Sequence, residues 1–140
     1  VNGIDYDVFN PQTDKCLEKT YSVENFRKEK VKNKVALQKE LGLEVDPKAM
    51  MIGVVSRLTD QKGFDLIAYI MDELCQDSIQ LVVLGTGEER YENMFRHFAW
   101  KYDKKVSANI YYSDTISILE DICSCTTFSI KVSVSEPAGT

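Results

Sequence analysis

Two short stretches of the chain are almost uninterruptedly apolar, Met50–Val55 and Ile79–Leu84, and each has the length of a strand. Such runs are expected of a parallel strand whose two faces are both covered by helices. Between them the period changes. Leu66, Ile67, Ile70, Met71 and Leu74 recur at spacings of three and four, which predicts a helix from Asp65 with these five residues on its inner face. After Gly87, the positions Tyr91, Met94, Phe95, Phe98 and Tyr102 predict a second helix of the same kind. Val106–Tyr112 reads as a third strand, followed by a helix from Thr115 to about Ser124 and a last strand over Thr126–Val134. In that last strand Ser129, Lys131 and Ser133 alternate with apolar neighbours, as in a half-exposed or edge strand. The order βαβαβαβ with helix-length connections predicts an α/β fold, a Rossmann-like open parallel sheet with flanking helices.

The first 49 residues lead into this core. Residues 1 to 21 carry Asn2-Gly3, Asn10-Pro11 and several aspartates with little periodicity, and predict an opening loop. Ser22 is placed to cap a helix running to about Leu41, with Gly42 just past its end. Phe26, Val31, Val35 and Leu41 form a thin apolar stripe on a mostly charged helix, so only one side of it should pack. Val45-Asp46-Pro47 then stops the helix. No linker or repeat divides the chain, and 140 residues is the size of one domain, with 1–49 as loop and helix and 50–140 as the core.

Charge and composition narrow the function. A net charge of −5 argues against a nucleic-acid surface. The one basic cluster, Arg27 to Lys39, is interleaved with acidic residues and reads as a solvated helix face. No apolar run reaches membrane-spanning length and the start is unlike a signal peptide, which points to a cytoplasmic or organelle-matrix address. Cys16, Cys75, Cys123 and Cys125 lack zinc-site spacing, so buried, reduced thiols are expected and no metal or other cofactor. His97, the single histidine, sits among Phe95, Phe98 and Trp100 and is expected to be a packed or surface residue rather than part of a triad.

In an open α/β sheet the ligand lies beyond the carboxyl ends of the strands, where the loops at Ser56, Gly85 and Tyr112 should share one rim. Gly63, near the start of one helix, and the Gly85-Thr86-Gly87 turn before the next bring backbone N–H groups and positive helix ends to that rim, which favours an anion. Arg57 and Lys62 add two full positive charges from one loop, a planar fork and a point charge, and suit a diphosphate. Two readings stay open on spacing alone. In the second, the glycines serve only turns and the cations are solvated, since neither loop completes a Walker or dinucleotide fingerprint.

The run VVSRLTDQKGFDLI, followed by QLVVLGTGEERYE, resembles the nucleotide-sugar-binding half of the bacterial glycogen synthases and plant starch synthases. NGIDYDVFNP and NKVALQKELGLEVD resemble the same family's approach to that domain, and the likeness is dense from Val1 to about Tyr112. The resemblance implies an incomplete C-terminal half of a two-Rossmann-domain (GT-B) enzyme. It implies a retaining, metal-independent transfer of glucose from ADP-glucose to the non-reducing end of an α-1,4-glucan. In that family the arginine and lysine of the S-R-L-x-x-Q-K-G loop hold the donor diphosphate, and these match Arg57 and Lys62. A tyrosine after the third strand stacks on the nucleotide base, a place taken by Tyr112, which is otherwise a strand-end core aromatic. The family's acidic loop E-P-C-G-L, whose glutamate contacts the transferred glucose and whose amides help hold the sugar and phosphates, is matched by Glu136, Pro137 and Gly139 but not by Ala138 and Thr140.

The likeness has gaps. Tyr111 stands where the family usually has glycine. Between Ser113 and Ser135 the family's histidine, basic residue and proline are missing. The resemblance also covers none of the family's N-terminal domain, which forms the other wall of the cleft, so the 140-residue chain alone is expected to be inactive. A nucleotide- or nucleotide-sugar-binding module without turnover, and a related UDP-sugar-dependent retaining transferase, are the alternatives. Oligomeric state has no signal in the sequence.

Overall fold

The computed structural model describes residue 7, residues 10–15 and 17–111, and the backbone of 128–129. Its elements, in chain order, are α1 (Phe26–Glu40), β1 (Met50–Val55), a 3-10 turn (Asp60–Lys62), α2 (Phe64–Leu74), β2 (Ile79–Leu84), α3 (Glu89–Lys101), β3 (Val106–Asn109) and β4 (Phe128–Ser129). The strands form a sheet in the order β3-β2-β1-β4, and every pair is parallel. Chain order therefore runs outward from β1 in one direction through β2 and β3, then reverses to place β4 on the other side. Such a reversal opens a crevice at the carboxyl ends of the strands. Val55 lies opposite Leu84, and Leu84 opposite Asn109, so β1, β2 and β3 end level with one another and their loops emerge on one rim.

The two apolar runs are β1 and β2 with the expected bounds, and both of their faces are covered. On one face Ile52, Val54, Leu81 and Val83 join Phe64, Ile67 and Met71 of α2 with Tyr91 and Phe95 of α3. On the other, Met51, Val82 and Leu84 pack with Leu37 and Leu43. Phe64 is the centre of the larger cluster, edge-on to Tyr91 at 5.5 Å and to Phe95 at 5.4 Å. Each such pair adds about 1 kcal/mol beyond the area it buries.

Three expectations about the helices are corrected. Leu66 and Ile70 of α2 are exposed, because the helix turns on the narrower stripe Phe64, Ile67 and Met71 once Phe64 seats between α2 and α3. Phe26 and Val31 of α1 are exposed as well, and the side that packs is Asn33, Lys34, Leu37 and Gln38. Ser22 does not cap α1. The cap is Asn25, whose side chain turns back to accept the Ser22 N–H at 2.7 Å, so Ser22 opens a preceding turn.

The polar side of α1 is buried because every group on it has a partner. Lys34 Nζ donates to the carbonyls of Pro47 and Ala49 at 2.7 and 2.8 Å. Gln38 Nε2 donates to Asp46 O and to Gln80 Oε1, and Gln80 in turn donates to Glu44 O. Asn33 exchanges two bonds with the backbone of Lys19. No buried side-chain nitrogen or oxygen among the described residues lacks a partner. Burial lowers the Lys34 pKa, against the opposing pull of Asp46.

Gly42 follows α1 with φ 69°. β3 stops at Asn109, short of the expected Tyr112, and Asn109 turns its side-chain amide to Val83 O. The expected helix from Thr115 to Ser124 and most of the last strand lie outside the described residues. The described pair of that strand, β4, takes an outer place in the sheet.

Candidate functional site

The rim is built around the segment that follows β1. Ser56 continues the sheet by donating to Leu84 O at 3.2 Å. Leu58 is fully buried and Phe64 is 1% exposed, so two apolar anchors hold the loop at either end while the polar residues between them stay outside. Leu58 was not singled out by the sequence, although a leucine between Arg57 and Thr59 in an otherwise polar loop is the signal that marks it. Between the anchors the 3-10 turn Asp60–Lys62 closes on Gly63, whose φ of 66° is left-handed and lets α2 start at Phe64. The positive end of α2 thus points to the rim.

Arg57 is exposed and Lys62 partly so. Neither forms an ion pair or a side-chain hydrogen bond among the described residues. Uncommitted cations five positions apart on a loop with two buried anchors are available to an anion, and this sets them apart from Lys34, Lys101 and Arg90, which all have partners.

The Gly85-Thr86-Gly87 turn is placed beside this loop, but its glycines serve a different purpose from an open anion cradle. The Gly85 N–H donates to Asn109 O at 3.2 Å and the Gly87 N–H to Glu92 Oε1 at 3.0 Å. A Cβ on Gly85 would overlap the Ser56 carbonyl, and one on Gly87 the backbone of Leu58, with its carbonyl carbon at 2.7 Å. The missing side chains allow the two loops to pair. Leu58 donates to Thr86 O at 2.9 Å, Leu58 O accepts from Glu88 N–H at 2.7 Å, and a parallel bridge joins Leu58 to Gly87. The two loops form a short continuation of the sheet beyond its strands.

Below the rim, Tyr91 donates its hydroxyl to Asp65 Oδ2 at 3.0 Å, tying α3 to the first turn of α2. Burial, then that bond, raises the Tyr91 pKa. Of the remaining expected site residues, Tyr112, Glu136 and Gly139 lie outside the described residues. His97 is exposed on α3, and Cys75 is buried, its thiol pKa pushed up by that burial. Cys16, Cys123 and Cys125 lie outside the described residues. Among those described, no cluster of His, Cys, Asp and Glu forms a metal-binding group, and no helix is long and apolar enough to cross a membrane.

No family model matches the sequence. Comparison with curated proteins finds a glycogen synthase of Lachnospira eligens, 62% identical over 139 residues, which takes in 99% of this chain and 29% of the relative. A glycogen synthase of Lachnoclostridium phytofermentans is 54% identical over the same extent. Among solved structures, the catalytic domain of starch synthase IV from Arabidopsis thaliana, bound to ADP and acarbose, superposes with a TM-score of 0.84 at 28% identity. That match covers all of this chain and 29% of the other. Fold and neighbour together class the chain as a Rossmann-like unit of the GT-B glycosyltransferases. Its sequence is similar to those of the glycogen synthases over nearly all of its own length, and it spans about 29% of the length of the first of the curated relatives it matches.

Proposed function

We propose that this chain is the donor-diphosphate part of a glycogen or starch synthase. The whole enzyme moves glucose from ADP-glucose to the non-reducing end of an α-1,4-glucan with retention. The observation that carries this is the pair Arg57 and Lys62, uncommitted among the described residues, on a loop with two buried anchors at the carboxyl end of β1, where the strand order reverses. Support comes also from the neighbour's bound ADP. As the sugar–phosphate bond breaks, charge gathers on the departing diphosphate, and fixed cations stabilise it there more than in the ground state. Loss of either cation is expected to cost the whole enzyme about 3 kcal/mol of transition-state stabilisation, by analogy with loss of one oxyanion donor.

In this reading Gly63 gives the diphosphate access to the start of α2, and Gly85, Thr86 and Gly87 shape the rim by letting the two loops pair. Tyr112 stacks on the base, Glu136 contacts the transferred glucose, and the Gly139 amide helps hold sugar and phosphates. Because transfer needs a second wall to position the acceptor and exclude water, the 140-residue chain binds donor without turnover. Calorimetric titration of ADP, ADP-glucose and UDP-glucose into the chain and its Arg57→Ala and Lys62→Ala variants tests the proposal. Binding of ADP and ADP-glucose, weakened in both variants, is expected. A folded chain with no affinity for any of the three overturns it.

A further inference from the structure

Glu88 bonds at two points, Leu58 and Asp60, to the short segment that separates Arg57 from Lys62. Its backbone N–H donates to Leu58 O at 2.7 Å, and its Oε1 accepts the Asp60 N–H at 3.1 Å. Asp60 is the first residue of the 3-10 turn that carries Lys62, and Thr59, the residue in the capping position, makes no capping bond with its own side chain. The start of a helical turn leaves N–H groups without internal partners. Here the cap is supplied by a carboxylate from a different loop.

That carboxylate is itself held. Its Oε2 accepts from Arg90 Nε at 3.0 Å, and the Arg90 guanidinium lies 4.3 Å from the centre of the Tyr91 ring. Tyr91 is 1% exposed and bonded to Asp65 in the first turn of α2. The contacts therefore run from Asp60 through Glu88, Arg90 and Tyr91 to Asp65, bracketing Lys62 and Gly63 from both sides. A carboxylate at the rim of an anion site opposes the ligand's charge, so its place there is explained by what it holds, and its pairing with Arg90 offsets part of that opposition.

We infer that Glu88 is a positioning residue for the donor diphosphate. It fixes the spacing of Arg57 and Lys62 by capping the turn between them, without touching the ligand. The inference rests on the donor-site reading given above. A cation displaced from its phosphate oxygen loses most of a charge-assisted bond, since such bonds depend steeply on distance and direction.

The test is ADP titration into the 140-residue chain carrying Glu88→Ala or Glu88→Gln, with thermal melting and amide hydrogen exchange at Asp60 measured in parallel. Glu88→Ala is expected to weaken ADP binding about fivefold, the worth of one hydrogen bond, and to speed exchange at Asp60. Glu88→Gln keeps an acceptor oxygen and is expected to restore both. Equal weakening in the two variants, or unchanged affinity in Glu88→Ala, overturns the role of Glu88 and leaves the donor site standing. A Glu88→Ala chain that fails to fold also overturns it, because Glu88 is then a fold element. Failure of the unmutated chain to bind ADP removes the donor-site reading itself, and this inference with it.

Discussion

Lys34 and Lys62 belong to one chain and face opposite fates. Lys34, on the packed side of α1, gives its ammonium to two backbone carbonyls and is 7% exposed. Lys62, on the rim, has no such partner among the described residues. The seam under α1 is polar and fully satisfied, so it holds the opening segment to the sheet but has nothing left to offer a ligand. The rim is the reverse, with apolar anchors and paired backbone holding it while Arg57 and Lys62 have no partner among the described residues. What distinguishes a structural cation from a ligand-binding one is therefore the surrounding set of acceptors, and not the residue type.

The sharpest way to break this contrast is to fill the space between the rim loops. Gly87→Ala is expected to destabilise the chain by about 3 kcal/mol, since the new Cβ meets the Leu58 backbone and not a movable side chain. Chemical denaturation measures it, and a loss within a few tenths of a kcal/mol would show that the loops are not rigidly paired. Next in size, Lys34→Met keeps the stem but leaves two carbonyls without a donor, and should cost about 2 kcal/mol. ADP affinity of that variant should stay at the level of the unmutated chain; a parallel fall in affinity would erase the distinction between seam and rim.

Arg57→Ala and Lys62→Ala should show the opposite profile. Stability is expected to change by less than about 0.5 kcal/mol, while ADP affinity falls by roughly tenfold or more, as for a lost charged hydrogen bond. A destabilised but fully binding variant would reassign the residue to the fold. The smallest effect concerns Asp72, whose pKa is lowered by its hydrogen bond from Lys101 and then by that from Tyr102. A depressed carboxylate contributes stability above its unfolded pKa of about 3.9, and that contribution is lost as pH falls through the lower folded value. Asp72→Asn should flatten the acid limb of a stability–pH curve slightly, because the pair is exposed and solvent-screened. An unchanged acid limb would show that the pair contributes nothing in solution.

The two buried strands, the helix between them and the place of the rim could all be read from residue pattern. Met50–Val55 and Ile79–Leu84 were legible to the residue because covering a strand on both faces requires apolar side chains at nearly every position. The packed side of α1 was not legible, since an apolar-stripe rule has no way to detect a buried face made of Asn33, Lys34 and Gln38. Nor was the narrow stripe of α2, where Leu66 and Ile70 fit the helical period yet face outward.

The chain's own residues thus determined the α/β order, the two core strands and a cationic, glycine-bearing loop at their carboxyl ends, because these depend on local period and residue chemistry. Only the tertiary structure decided which cations are paired, as Lys34 is, which have no partner among the described residues, and which amides are consumed. Gly85 and Gly87 look alike in sequence to the glycines of an anion cradle, but their N–H groups are turned to Asn109 and Glu92. Their lack of side chains serves the close approach of Ser56 and Leu58. Which acceptor lies within about 3 Å of a donor depends on how two loops distant in sequence dock, and that is set by Leu58 and Phe64 reaching one core.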